Sequence, residues 1–210
     1  MVEGVRVSIA PADITGLILA GGLARRMGGV DKGLQPFLGQ SLVQHAVQRL
    51  QPQVGAMGIN ANRHLDQYQA LGIPVWPDAD ANFAGPLAGI LAGIEHCRTP
   101  YLLTVPCDTP LFPLDLVERL HQALIAQDAD LAMAAAPEAD GTVRPQPVFC
   151  LLKVDLLESL VAFTQAGGRK IDAWTAQHRC AIVPFDQPGD SPQAFSNANT
   201  LQELQQLESL

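Results

Sequence analysis

The chain has 210 residues, 48% apolar and 16% charged, which is enough apolar mass for a sizeable core and excludes a disordered chain. Its net charge of −8 argues against DNA, RNA or an anionic membrane surface as the main partner, since each calls for a basic face. Cys97, Cys107, Cys150 and Cys180 form no CxxC pair, so they read as reduced thiols of a cytoplasmic protein and not as zinc ligands or a disulfide framework.

Residues 1–13 read as a partly flexible N-terminal extension, with no charged start leading into the apolar stretch of a signal peptide. Residues 14–210 read as one domain, and no run approaches the roughly 18 apolar residues of a membrane span. The segment "ITGLILAG" is nearly continuous in apolar residues, as in a central parallel strand buried on both faces. A glycine-rich loop follows, then "SLVQHAVQRLQ", a predicted helix with Ser41 as N-cap and Val43, Ala46, Val47 and Leu50 at helical spacing. "VGAMGINAN" and "IPVWPD" are predicted short strands, and "GPLAGILAGIEHC" a helix entered through Pro86. "YLLTVPCD" is a second buried strand, "PLDLVERLHQALIAQ" a helix and "ADLAMAAAP" a strand. "PQPVFCLLK" reads as a strand and "VDLLESLVAFTQAGG" as a helix with a glycine stop. "CAIVPF" is a strand and "TLQELQQLESL" the closing helix.

This alternation predicts an α/β fold of three layers with a mostly parallel central sheet. In such sheets ligands sit at the carboxyl ends of the strands. The segments leaving those ends are "AGGLARRMGGVDKG", "NANR", "PDADANFAGP" and "PCDTP", which are rich in glycine, charge and amides. They are expected to converge on one edge.

The first of these loops suits a polyphosphate. Gly21 and Gly22 let backbone N–H groups approach a ligand, and successive N–H groups can form an anion-binding concavity. Arg25, Arg26 and Lys32 add cationic donors. The loop has neither the GxxxxGK[ST] of a P-loop nor the GxGxxG of a dinucleotide fold. In "VPCDTP", Asp108 ends a buried strand between prolines, a rigid carboxylate suited to Mg2+ shared with substrate phosphate oxygens. A turn-capping aspartate is the competing reading.

The ordered set "LAGGLARRMGGVDKG", "NANR", "PVWPD", "GPLAG", "PCDTP" and "NANT" resembles the molybdenum cofactor guanylyltransferase family over nearly the whole chain. The resemblance implies a Rossmann-like nucleotidyltransferase fold and transfer of GMP from GTP to molybdenum-molybdopterin, with Mg2+ as cofactor. It implies nucleotide-binding roles for Leu19, Ala20, Gly21 and Gly22, and basic catalytic roles for Arg26 and Lys32. Asn60 and Asp78 match nucleotide contacts, with Asp78 accepting from guanine N–H groups, and Asp108 matches the Mg2+ ligand. Gly85, Asn197 and Asn199 match the acceptor side, where Asn199 could assist the metal. The same resemblance implies transient contacts with other cofactor-biosynthesis proteins or molybdoenzymes.

Arg144 and Gln146 of "DGTVRPQP" are candidates for the pterin side. Arg169 and Lys170 are candidates for a second substrate's phosphate, or equally for a solvated basic turn. "NANTLQEL" lacks the proline that often follows the threonine in the family. Related cytidylyltransferases tend to read LAAG where this chain has "LAGG", so Gly22 is expected to leave room for a purine. The alternative is a related nucleotidyltransferase that uses CTP or a sugar-phosphate acceptor.

Overall fold

The computed structural model describes residues 10–24, 30–79, 85–138 and 140–209. Of the N-terminal extension, Pro11–Asp13 form a 3-10 turn, with Asp13 accepting from the N–H of Ala10 at 3.1 Å, and residues 1–9 lie outside the described residues.

The main sheet starts from β1 (Ile14–Leu19), which pairs in parallel with β6 (Ala56–Asn60) on one side and β7 (Tyr101–Pro106) on the other. Between β1 and β6 run two short ribbons, β2 (Leu23–Ala24) with β3 (Val30–Asp31) and β4 (Pro36–Phe37) with β5 (Gln40–Ser41), and then α1 (Leu42–Leu50). After α2 (Leu65–Gln69), α3 (Pro86–His96) crosses over to β7. The chain continues through α4 (Leu116–Ala126), β8 (Leu131–Pro137) and β9 (Val143–Lys153). It ends with α5 (Leu157–Gln165), α6 (Ile171–Thr175), β10 (Cys180–Pro184) and α7 (Leu201–Glu208). The strand order is β10-β8-β9-β7-β1-β6, with β9 alone antiparallel to its neighbours. The expected mostly parallel sheet is therefore present.

Side-chain alternation along the strands builds two cores. Ile14 and Ile18 of β1 join Leu103 and Val105 of β7 in a cluster with Val43, Ala46 and Leu50 of α1 and Leu116, Leu120 and Leu124 of α4. Leu17 and Leu102 face the other way, onto Leu87, Ile90 and Ile94 of α3, Leu160 of α5 and Trp174 of α6. These are the three layers. Because α1 follows β1 on one face and α3 follows β6 on the other, the chain departs in opposite directions from two adjacent strands. A crevice opens at their carboxyl ends, the place such sheets use for ligands.

One expected strand is reduced. In "IPVWPD", Val75 makes an isolated parallel bridge to Ile59, supported by bonds from Ile59 N to Pro74 O and from Trp76 N to Ile59 O. Pro74 and Pro77 have no N–H to extend that ladder. Helix α7 is entered without proline through a capping box. Thr200 Oγ1 accepts from Glu203 N at 3.1 Å, while Glu203 Oε2 accepts from Thr200 N at 3.0 Å and Asn199 N at 2.7 Å. At the start of α1, Ser41 donates its N–H and its hydroxyl to Gln44 Oε1. That is the reciprocal half of a capping box, with the side chain of the third helical residue serving as acceptor.

Candidate active site

The crevice is a cavity of about 920 Å3. Its lining comes from each of the four loops expected to converge: Leu19, Gly21, Gly22 and Lys32; Asn60, Asn62 and Arg63; Asp78 and Gly85; and Cys107 and Asp108. Asn197 and the β9 segment Gln146–Phe149 complete it.

Two backbone bonds bind the loops together at the strand ends. Ala20 N donates to Asn60 O at 2.8 Å, and Cys107 N donates to Leu19 O at 3.1 Å. The last loop is attached in the same way, since Ala198 N donates to Asp108 O at 2.8 Å. Beneath it, Ala198, Leu204 and Leu207 pack with Phe37 and Leu42 in a small cluster of their own. The C-terminal segment is thereby fastened to the turn that follows Lys32.

On one side of the cavity lies a polar cluster. Lys32 Nζ donates to Asp108 Oδ2 at 2.9 Å and to Asn199 Oδ1 at 2.5 Å. The two charged side chains are 19% and 17% exposed, so the pair is partly shielded and still within a ligand's reach. Thr109 Oγ1 donates to Asn197 Oδ1 at 2.6 Å. Cys107 sits beneath as a neutral thiol: burial first, then the neighbouring carboxylates of Asp108 and Asp31, push its pKa well above the usual thiol value.

On the other side lies an amide–carboxylate cluster. Asn60 Nδ2 donates to Trp76 O at 2.9 Å and to Asp78 Oδ1 at 2.8 Å. Asn62 Nδ2 donates to Asp78 Oδ2 at 2.7 Å, and Asn62 Oδ1 accepts from Asp78 N at 2.8 Å. Among the described residues, each Asp78 oxygen therefore receives one side-chain bond and keeps lone-pair capacity for a ligand. Asn60 is buried between two glycines. A Cβ on Gly21 would lie 3.2 Å from Asn60 Oδ1, and one on Gly89 of α3 would collide with the same atom. At Gly22, by contrast, a Cβ would meet nothing within 4 Å among the described residues, and Gly22 itself lines the cavity.

Gly85 precedes α3 with φ +121° and ψ 178°, a conformation that L side chains rarely adopt, and turns the chain into Pro86. The N-terminal end of an eleven-residue helix therefore borders the cavity, where its dipole favours an anion.

Sequence reasoning and structure differ at several positions. Arg26 lies outside the described residues. Gln146 lines the cavity, whereas Arg144, Arg169 and Lys170 do not. Arg144 instead pairs with Glu138 at 3.0 Å and Asp140 at 3.4 Å. Both late asparagines use their side-chain oxygens to accept bonds from protein donors, Asn197 from Thr109 and Asn199 from Lys32. Asn62 and Arg63 were not singled out, although "NANR" signals them through its position after a strand. Phe149 was missed because a buried apolar residue in a strand carries no signal of its own.

Among the described residues, no group of three or more His, Cys, Asp and Glu side chains could enclose a metal by itself. Asp108 offers a single partly exposed carboxylate beside amide oxygens, a set of hard oxygen donors. Such a set fits Mg2+ provided a substrate's phosphate oxygens and waters complete the shell.

A family model described as the MobA-like NTP transferase domain matches residues 16–182. A molybdenum cofactor guanylyltransferase of Acidovorax sp. (strain JS42) is 69% identical over 203 residues, covering 94% of this chain and 96% of its own. Its counterpart in Bordetella pertussis (strain Tohama I) is 61% identical over 197 residues, covering 94% and 98%. Among solved structures, molybdopterin-guanine dinucleotide biosynthesis protein A of Archaeoglobus fulgidus superposes with a TM-score of 0.73 at 20% identity, covering 93% of this chain and 97% of that one. The 4-diphosphocytidyl-2C-methyl-D-erythritol synthase of Anaerococcus prevotii superposes at 0.72 with 9% identity, covering 95% and 96%. These two likenesses speak for the fold.

Proposed function

The chain belongs to the family of MobA-like NTP transferase domains, and from that premise we propose that it transfers GMP from GTP to molybdenum-molybdopterin, releasing pyrophosphate. Relatives at 61% and 69% identity carry the name of that activity. The observation that carries the reading is the meeting of four loops around one cavity, with the Lys32–Asp108 pair on one side and the Asn60–Asp78–Asn62 cluster on the other. We take residues 14–210 as a single nucleotidyltransferase unit. We place it in the cytoplasm on its four free thiols.

A phosphate-terminated acceptor is already a nucleophile, so repulsion between two polyanions and charge on the leaving pyrophosphate dominate the barrier. Positioning and electrostatic stabilisation are then the main tasks. In our reading Leu19, Ala20, Gly21 and Gly22 present backbone to the triphosphate, while Lys32 and Arg26 neutralise charge on its β- and γ-phosphates. Asn60 holds Asp78, and Asp78 accepts from the N–H groups of guanine. Gly85, Asn197 and Asn199 border the acceptor, with Gln146 on the same side. Asp108 would hold Mg2+, which supplies Lewis-acid polarisation of phosphate oxygens when bound. Asn199 supports Lys32 by accepting from its ammonium group at 2.5 Å, and would assist the metal from the same side. Transient contacts with other cofactor-biosynthesis proteins or molybdoenzymes belong to the same reading.

The test is incubation with GTP, Mg2+ and molybdopterin, against CTP and a sugar phosphate in a two-by-two comparison. Pyrophosphate and the guanylated pterin are expected only with GTP and molybdopterin together. Equal turnover with CTP, or with the sugar phosphate, would overturn the assignment.

A further inference from the structure

The site as described uses Lys32 and leaves the preceding residue without a role. Asp31 is a carboxylate in a surface ribbon, yet it is only 5% exposed and does not line the cavity. Its Oδ1 accepts from the Tyr68 hydroxyl at 2.5 Å and from Gly33 N at 3.2 Å, and its carbonyl accepts from Gln35 Nε2 at 3.0 Å. Tyr68, on α2, is wholly buried. Burial, followed by the neighbouring Cys107 and Asp31, pushes its pKa far above the usual phenol value, so the hydroxyl stays a donor.

Burying a carboxylate is costly unless its oxygens are bonded, and a turn residue could point into water at no cost. What the burial secures is direction. With Asp31 drawn inward, its neighbour Lys32 faces the cavity, Asp108 and Asn199. Gly33 closes the clamp from the far side: Val43 N donates to its carbonyl at 2.9 Å, and a Cβ there would press on Tyr68 Oη at 2.5 Å. Lys32 thus has its backbone held on both flanks. The tyrosine that holds it stands on the helix that follows the loop bearing Asn60 and Asn62.

We propose that the buried Asp31–Tyr68 hydrogen bond is a positioning device that sets the Lys32 backbone, and so aims its ammonium group at Asp108 and the triphosphate. The proposal rests on the reading of Lys32 as the phosphate-neutralising group. It adds a constraint on that lysine from the base-binding half of the site.

Two measurements on the full chain test it. The first is turnover with GTP, Mg2+ and molybdopterin for Tyr68→Phe, which removes one oxygen and keeps the ring. It should lower kcat about tenfold, the size of a lost bond to a charged group, with KM for GTP nearly unchanged. Asp31→Asn keeps an acceptor oxygen and should retain more activity than Asp31→Ala. In a Lys32→Ala background, Tyr68→Phe should cause no further loss, because the device acts through the lysine. A full additional loss there, or wild-type kcat in Tyr68→Phe alone, overturns the proposal. The second measurement does not depend on turnover. Acylation by an amine-reactive reagent, mapped by mass spectrometry, should rise at Lys32 in Tyr68→Phe and in Asp31→Asn relative to Lys153 and Lys170. Unchanged Lys32 labelling in both variants overturns the proposal even if the wild type proves inactive with GTP, an outcome that would instead sink the functional reading.

Discussion

Lys32 and Asp108, 76 residues apart in the chain, meet at 2.9 Å on the rim of the cavity, and Asn199, 167 residues beyond Lys32, completes the contact at 2.5 Å. The loop after β1, a strand-end turn and a C-terminal segment thus share one cationic group. The lysine neutralises the carboxylate, and its ammonium group is within reach of a triphosphate in the cavity.

Replacing Lys32 or Asp108 by alanine should therefore remove charge stabilisation that develops during transfer. Each change is expected to cost roughly 3 kcal/mol, about a hundredfold in kcat, with the fold retained. The double variant should lose less than the sum of the singles, because the two groups act on the same phosphates. Pyrophosphate release combined with circular dichroism checks both statements, and near-normal turnover in either folded single variant would contradict them.

Gly22 is the position for a test of base selection. A Cβ there meets no atom of the described residues within 4 Å, and Gly22 lines the cavity, so Gly22→Ala should fold normally and place its methyl group at the cavity wall. GTP affinity is expected to fall about tenfold, near 1.4 kcal/mol, while CTP, with its smaller base, loses less. Calorimetric titration with both nucleotides decides the point, and wild-type binding of CTP tighter than GTP would remove the idea.

The capping box of α7 links stability to the site, because Glu203 Oε2 accepts from the backbone of Asn199 as well as Thr200. Thr200→Ala should cost about 1 kcal/mol, or roughly 2–4 °C in melting temperature for a chain of this size. Glu203→Ala should in addition loosen Asn199 and reduce turnover at a temperature where the protein remains folded. Thermal melts read beside kcat separate the two effects.

Far from the site, the Arg179 guanidinium bonds Asp130 at 2.9 Å and Asp128 at 2.6 Å, and holds the Asp130 carboxyl down to about 2 from its ordinary 3.8. A carboxyl with a depressed folded-state pKa stabilises the fold above its unfolded pKa, and that contribution disappears as pH falls through the folded value. The difference in melting temperature between the wild type and Arg179→Ala should thus be present near about pH 6 and close between about pH 4 and pH 2. A difference that widens on acidification would refute it.

Much of this arrangement was legible in the chain itself. Continuous apolar runs located β1 and β7, and helical spacing located α1, α3 and α4. A glycine-rich cationic loop beside a strand-end aspartate pointed to a polyphosphate. These features are local: their periods and spacings are set by backbone geometry within a few residues, so one dimension suffices to reveal them. Helices α2 and α6, five residues each, were not legible, because so short a segment shows barely one turn of periodicity and depends on tertiary packing to form.

Other features exist only in three dimensions. Nothing in the spacing of Lys32, Asp108 and Asn199 indicates that their side chains touch. Arg144 resembled a ligand-binding cation until folding placed Glu138 and Asp140 beside it. Asp31 carries no signal in the sequence that it is buried, yet it packs inward against Tyr68. The sequence by itself determined the periodic elements and the chemical kind of each loop, because these follow from neighbouring residues. Which loops meet, which charges are paired and which way a side chain points were decided by the tertiary structure, because packing brings together groups that the chain keeps far apart.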